Sequence, residues 1–181
     1  VKLVSSDLTI DNILTLNGGI LDAASNSLSV IVARSAAAAM ARTSGYVTGN
    51  LTRYRYFGFM TFYVGTGTAE YSPITLFQTS GSGTTNASLT VRVYNVKHPQ
   101  NSSNTNYINR YWNLTNSGVT GTFAVTSAQY LPGDVVGTEA DIALGEYPQG
   151  PPWIKWDTAV ITGQNHYLQT KLIKMNSDQE L

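Results

Sequence analysis

Apolar and polar positions alternate with period two along most of the chain, most clearly from Asn106 to Gly118. There Ile108, Arg110, Trp112 and Leu114 fall on one face, and Tyr107, Asn109, Tyr111 and Asn113 on the other. Such alternation predicts a half-buried strand, with Trp112 and Leu114 entering a core at roughly 1.5–3 kcal/mol each. Asn116-Ser117-Gly118 then supplies turn chemistry. From Gly45 onward, runs broken by Gly, Ser, Asn and Pro predict strands near 46–56, 59–64, 71–78, 87–96, 107–115, 121–128, 141–147, 153–162 and 166–174. No long helical period interrupts them. The pattern predicts an all-β chain whose residues 45–181 form an antiparallel β-sandwich, immunoglobulin-like or jelly-roll-like. Residues 79–86 and 97–105 read as polar loops, and Gly145 to Pro152 as a rigid turn that cannot lie inside a central strand.

Residues 1–33 form a short β-rich segment of a different kind. Leu8-Thr9-Ile10, Ile13 to Leu16, Gly19 to Leu21 and Leu28 to Val32 are brief apolar runs between polar turns. They resemble solenoid rungs or hairpins that need a neighbour to cover them, and they number too few to stand alone. That cover is either the following domain or another copy of the chain. Residues 34–44 are an Ala-rich connector, and Arg34 to Thr43 is the one good helix former, short for a stable isolated helix. It reads as a linker, a crossover helix or a hinge.

Asn109-Arg110-Tyr111-Trp112-Asn113-Leu114-Thr115 also resembles the "NRYW-(T/N)-(L/I)-T" segment of large repetitive surface proteins of Bacteroidetes and related phyla. Those proteins are adhesin-like and commonly exported by type IX secretion. Further pieces match in the same order: Asp7 to Ile10 with Leu14 to Gly18, Gly45 to Leu51, Thr61 to Gly67, Tyr71 to Leu76, and Asp134 to Asp141. The resemblance covers roughly residues 7–156. It implies an exported structural or adhesive module at the cell surface and names no ligand.

Composition agrees with that direction. The formal net charge is zero and only 12% of residues are charged, so the chain carries no electrostatic footprint for nucleic acid or anionic lipid. Cysteine is absent, which removes disulfides, thiolate zinc sites and a Cys nucleophile. No apolar run approaches the roughly 20 residues that span a bilayer, so membrane insertion is not expected. Val1 in place of Met fits either removal of a signal peptide or a fragment.

Candidate chemistry is sparse. His98 and His166 have no Asp or Glu near them in sequence, and no Gly-x-Ser-x-Gly elbow precedes a helix; both read as structural or solvent-exposed. Asp134, Glu139 and Asp141, with Glu146, are the best metal candidates, because Asp134 and Glu139 flank Gly137 and a turn there would bring them to one calcium ion. A solvated strand edge is the plainer explanation, with a calcium or general-acid site the alternative. Calcium is the only cofactor suggested. Trp153, Trp156 and Tyr147 are the candidates for a sugar platform, since Trp153 and Trp156 are three apart and one of them should be exposed; core packing is the plainer explanation. Asp157-Thr158-Ala159 resembles a short Bacteroidetes O-glycosylation motif, making Thr158 a candidate acceptor. Asn50, Asn86, Asn101 and Asn113 head Asn-x-Ser/Thr sequons at a number near chance.

The ends suggest assembly. Val1 to Val4 and Tyr167 to Lys174 are strand-like, and an unpaired strand is a template for another chain. Strand addition between copies uses main-chain hydrogen bonds, and a contact that does not close yields a filament. Val1, Leu3, Leu8, Ile10, Leu14 and Leu16 are the candidate assembly residues, expected to complete the sheet of a neighbour. The leading expectation is a non-enzymatic subunit of an extracellular filament or cell-surface adhesin, partnered by copies of itself. A carbohydrate-binding module for a surface polysaccharide is the alternative, and a glycan hydrolase the third.

Overall fold

The computed structural model of the protein describes residues 1–148, 152–158, 160–162, 165–168, 173–174 and 178–181. Strands make up 58% of it and no helix among the described residues reaches seven residues, so the fold is all-β. Its first third is a stack of parallel rungs. Along the chain run β1 (Leu8–Ile10), β2 (Leu14–Asp22), β3 (Ser29–Val32), β4 (Met40–Thr48), β5 (Asn50–Tyr54), β6 (Phe59–Phe62) and β7 (Val64–Thr66). β1, β3 and β5 lie side by side and parallel, as do β2, β4 and β7. Equivalent positions therefore form columns, Leu8 beside Val30 beside Leu51 in one sheet and Leu21 beside Val47 beside Val64 in the other. In each column the first residue is half-buried and the later two are fully buried. The stacking runs on through residue 66, across the divisions expected near residues 33 and 44.

The alanine run is not a helix. Only Ala37–Ala39 make a 3-10 turn, and Met40 then starts β4. A helix of about ten residues is marginal by itself, whereas extended Met40 to Arg42 pair with Leu14 to Leu16 and bury Ala39 and Met40. The turn also covers Arg53, whose guanidinium donates to Thr61 O at 2.8 Å and reaches Ala36 O and Ala37 O. Burial of that guanidinium lowers its pKa.

Beyond the rungs the pairing turns antiparallel. The strands are β8 (Glu70–Tyr71), β9 (Ile74–Ser80), β10 (Gly83–Tyr94), β11 (Tyr107–Ile108), β12 (Tyr111–Val119), β13 (Thr122–Gln129) and β14 (Val135–Val136). They are followed by β15 (Ala143–Glu146), β16 (Ile154–Thr158), β17 (Val160–Thr162), β18 (Asn165–Leu168), β19 (Ile173–Lys174) and β20 (Gln179–Glu180). One six-stranded sheet runs β1-β3-β5-β10-β12-β20 and another contains β17-β18-β13-β9-β6. A single apolar cluster, including Leu51, Phe62, Leu89, Trp112, Phe123 and Tyr130, joins these sheets. Several details differ from the expected pattern. The loop expected at 79–86 is largely strand, because β9 runs to Ser80 and β10 starts at Gly83. β12 runs through Asn116-Ser117-Gly118 to Val119, with Gly118 at φ +70° and the Asn116 side chain bonded to Val119 N and O. β15 starts late because Glu139–Asp141 form a 3-10 turn. β20 was not foreseen at all.

The alternation in the Asn109 to Leu114 stretch is realised as Arg110, Trp112 and Leu114 buried, with Tyr111 and Asn113 half-buried. Trp112 Nε1 donates to Ser72 O at 3.0 Å. Arg110 makes a two-pronged contact with Asp134, Nε to Oδ2 at 2.5 Å and Nη2 to Oδ1 at 3.1 Å, and its Nη1 reaches Thr66 Oγ1. Side-chain exposure is 0% for Arg110 and 7% for Asp134. Removing one member of such a buried pair strands the other charge. Arg110→Ala should therefore cost about 3–5 kcal/mol in urea unfolding, and Arg110→Met with Asp134→Leu should cost less than the single change.

Candidate functional site

Two places in the fold stand out, the open end of the rung stack and a cleft beside His98. At the rung end, β1 and β2 are the outermost strands of their sheets. Part of β2's outer edge is filled by the chain's own first residues. Asp22 N donates to Val1 O at 2.6 Å, Leu3 N donates to Asp22 O at 2.8 Å, and the Val1 amine donates to Ile20 O. The Asp22 carboxylate turns the corner by accepting from Ser25 Oγ, Thr48 Oγ1 and Ser25 N, and these hydrogen bonds, Ser25's first, hold its pKa below the usual carboxylate range. The remaining edge borders a groove of about 240 Å³ that runs along Leu14 to Leu21 and ends on Val1. Val4 and Ile13 are 75% and 45% exposed. Among the described residues no strand pairs with the outer side of β1.

The six assembly candidates thus have partners inside their own chain. Val1 and Leu3 flank Asp22, Leu8 and Ile10 pair with Val30 and Val32, and Leu14 and Leu16 with Met40 and Arg42. They were expected to complete a neighbour's sheet; the parallel register instead sets Leu8, Ile10, Leu14 and Leu16 against the second rung, Leu16 only 7% exposed, while Val1 and Leu3 lie along the first. What the rung end offers a partner is an accepting edge rather than a donated strand.

The cleft is built around a histidine. Gln100 N donates to His98 Nδ1 at 3.1 Å, so Nδ1 is the acceptor and Nε2 carries the hydrogen that faces Glu180 Oε2 at 2.9 Å. Asn113 Nδ2 donates to the other oxygen of Glu180. The imidazole is 6% exposed and is enclosed by Tyr111, Tyr147 and Trp153, with ring centroids 4.8, 5.4 and 4.8 Å away. Tyr111 stacks in turn on Tyr94. Its acid comes from 82 residues away, which no reading of near neighbours reveals. His166 likewise meets Glu139, Nδ1 to Oε1 at 2.5 Å, and Tyr130 OH donates to the same oxygen at 2.8 Å. Burial pushes the Glu139 carboxyl up, but the hydrogen bonds from His166 and Tyr130 outweigh it and hold its pKa low.

The calcium candidates do not converge. Asp134 is occupied by Arg110, Glu139 by His166 and Tyr130, and exposed Asp141 accepts from Asn106 Nδ2 at 3.2 Å. Among the described residues no group of three or more acidic or histidine side chains is placed to hold a metal ion. Of the sugar-platform candidates, Tyr147 and Trp153 pack together at 4.9 Å. Trp156 turns away and donates its indole N–H to Glu146 Oε2 at 2.9 Å. Neither tryptophan is exposed; both are half-buried. Thr158 ends β16, and its side chain lies outside the described residues.

No helix among the described residues is long and apolar enough to cross a membrane. Comparison with protein-family models, with curated proteins and with solved structures finds no match.

Glu146, bonded to Trp156 on β16, gives a pH test of the β15–β16 pair. It is 3% exposed, and burial raises its pKa although the Trp156 N–H opposes the shift. A carboxyl whose native pKa is raised costs stability above its native pKa and costs nothing below the unfolded value of about 4.3. Glu146→Gln retains an acceptor for Trp156, so it should raise Tm by about 2 °C at neutral pH, with the gain fading below about pH 4. Calorimetry across that range checks it.

Proposed function

We propose that this chain is a non-enzymatic structural module of an exported surface protein, a filament subunit or adhesin, that associates by strand addition at its open rung end. In this reading the parallel rungs form a short solenoid, and the antiparallel sheets behind them a sandwich that closes its other side. The observation that carries it is the accepting edge of β1 and β2. It combines the outer edge of β2 along Leu14 to Gly19, which no strand pairs among the described residues, an adjoining groove, and half-buried apolar columns that become fully buried one rung deeper. An edge of that kind binds through main-chain hydrogen bonds, with apolar side chains adding area. Low charge, absence of cysteine and the surface-protein resemblance support an extracellular setting.

The histidines favour a structural role as well. Each is held by a carboxylate, and in the hydrogen bonds of the described residues neither imidazole meets a Ser or Thr hydroxyl. The arrangement orients side chains and ties distant strands together, which is what a load-carrying module requires.

The test is self-association of the full chain, followed by sedimentation velocity and electron microscopy. Val4→Lys with Ile13→Lys places two charges on exposed positions of the rung end, so the fold should be retained by circular dichroism. Wild type should form dimers or polymers, and the double variant should associate at least about tenfold more weakly. A wild-type chain that stays monomeric, or a variant that assembles unchanged, refutes the reading.

A further inference from the structure

We propose that the cleft beside Trp153 binds a neutral, flat-faced saccharide, a sugar of gluco configuration with equatorial hydroxyls. The inference is independent of self-association, because the cleft is built from β15, β16, the 98–106 loop and the chain's last residues rather than from the rung end. Its volume is about 390 Å³, within the range of about 300–1,000 Å³ for small-ligand sites. The floor is apolar, with Leu144 and Leu181 buried at 1% and 5% exposure. One wall is the half-buried indole of Trp153, and the rim carries Asn101, Asn106, Asp141 and Lys155.

That distribution matches a sugar better than an ion or a lipid. A pyranose with equatorial hydroxyls has a flat C–H face that suits an indole and a hydroxyl perimeter that needs both donors and acceptors. The rim supplies amides, a carboxylate and an ammonium, and the charges of Asp141 and Lys155 cancel, so a neutral ligand fits. The polar groups are also fixed in advance. Asn106 Oδ1 accepts from Thr138 N at 2.8 Å while its Nδ2 directs one hydrogen to Asp141, and Asn101 Oδ1 accepts from Ser103 N at 2.9 Å. Trp153 is held by its indole N–H on Gln100 O and by the rings of His98 and Tyr147. A preset site loses little side-chain freedom on binding.

The three tryptophans make the experiment self-controlled. In a nitrogen-15 NMR titration of the full chain with cellotetraose, the Trp153 indole signal and the Asn101 and Asn106 side-chain amides should move. Trp112, fully buried on Ser72, and Trp156, bonded to Glu146, should not. A galacto-configured oligosaccharide, whose axial hydroxyl breaks the flat face, should bind more weakly. Trp153→Ala should weaken binding at least about tenfold. Asp141→Ala, on an exposed side chain, should weaken it about fivefold, the size of one hydrogen bond, at unchanged melting temperature. The Val4→Lys, Ile13→Lys chain should bind as wild type does, which separates this site from assembly. No shift at about 10 mM sugar, shifts spread over all three indoles, or full affinity in Asp141→Ala overturns the proposal.

Discussion

The buried contact between Arg110 and Asp134 holds the two halves of this fold together. Arg110 immediately precedes β12, Asp134 lies in the 3-10 turn after β13, and the same guanidinium reaches Thr66 at the end of the parallel rungs and approaches Glu70 at 3.7 Å. Both charges are out of water, so neither can be left alone, and the two oxygens of Asp134 fix the angle at which the guanidinium sits. Asp134 further accepts from Leu131 N and caps its own turn. Rungs, antiparallel sheet and connecting loop thus meet at one ion pair.

From that junction the molecule divides by the direction of its pairing. Parallel rungs place like residues beside like, so apolar columns grow deeper with each rung and the first rung is left half covered. Antiparallel strands close on one another, and the chain's end is drawn in by Leu181, which exchanges backbone hydrogen bonds with Trp112 while Glu180 bonds to His98 and Asn113. One end of the stack is consequently an edge, and the other side is a surface in which loops and chain end surround a cleft. In the readings proposed above, adhesion by backbone pairing and recognition of a sugar use separate faces of one module.

Strand character was legible wherever alternation was strong. The alternation from Tyr111 to Leu114 is realised, and the strands expected near 59–64, 71–78 and 121–128 are found in large part as β6, β9 and β13, because burial on one side of a sheet imposes a period of two directly. Local chemistry misled where a partner overrode propensity. Met40 to Arg42 extends because β2 offers a ladder, and Gly118 bends a strand without ending it. The assembly residues were legible as strand formers but not as partners of β3 and β4. Trp153 and Tyr147 were legible as aromatic, and their enclosure of His98 was not.

By itself the amino-acid sequence determined an all-β chain with Trp112 and Leu114 in its core, no cysteine chemistry and no net charge. Those properties follow from side-chain type and spacing, which are local. Only the tertiary structure decided that the first strands run parallel, that Glu180 meets His98 and Glu139 meets His166, and that Asp134 answers Arg110 in place of an ion. Such pairings depend on strand order and register, and residues far apart in the chain leave no periodic trace of which of them will meet.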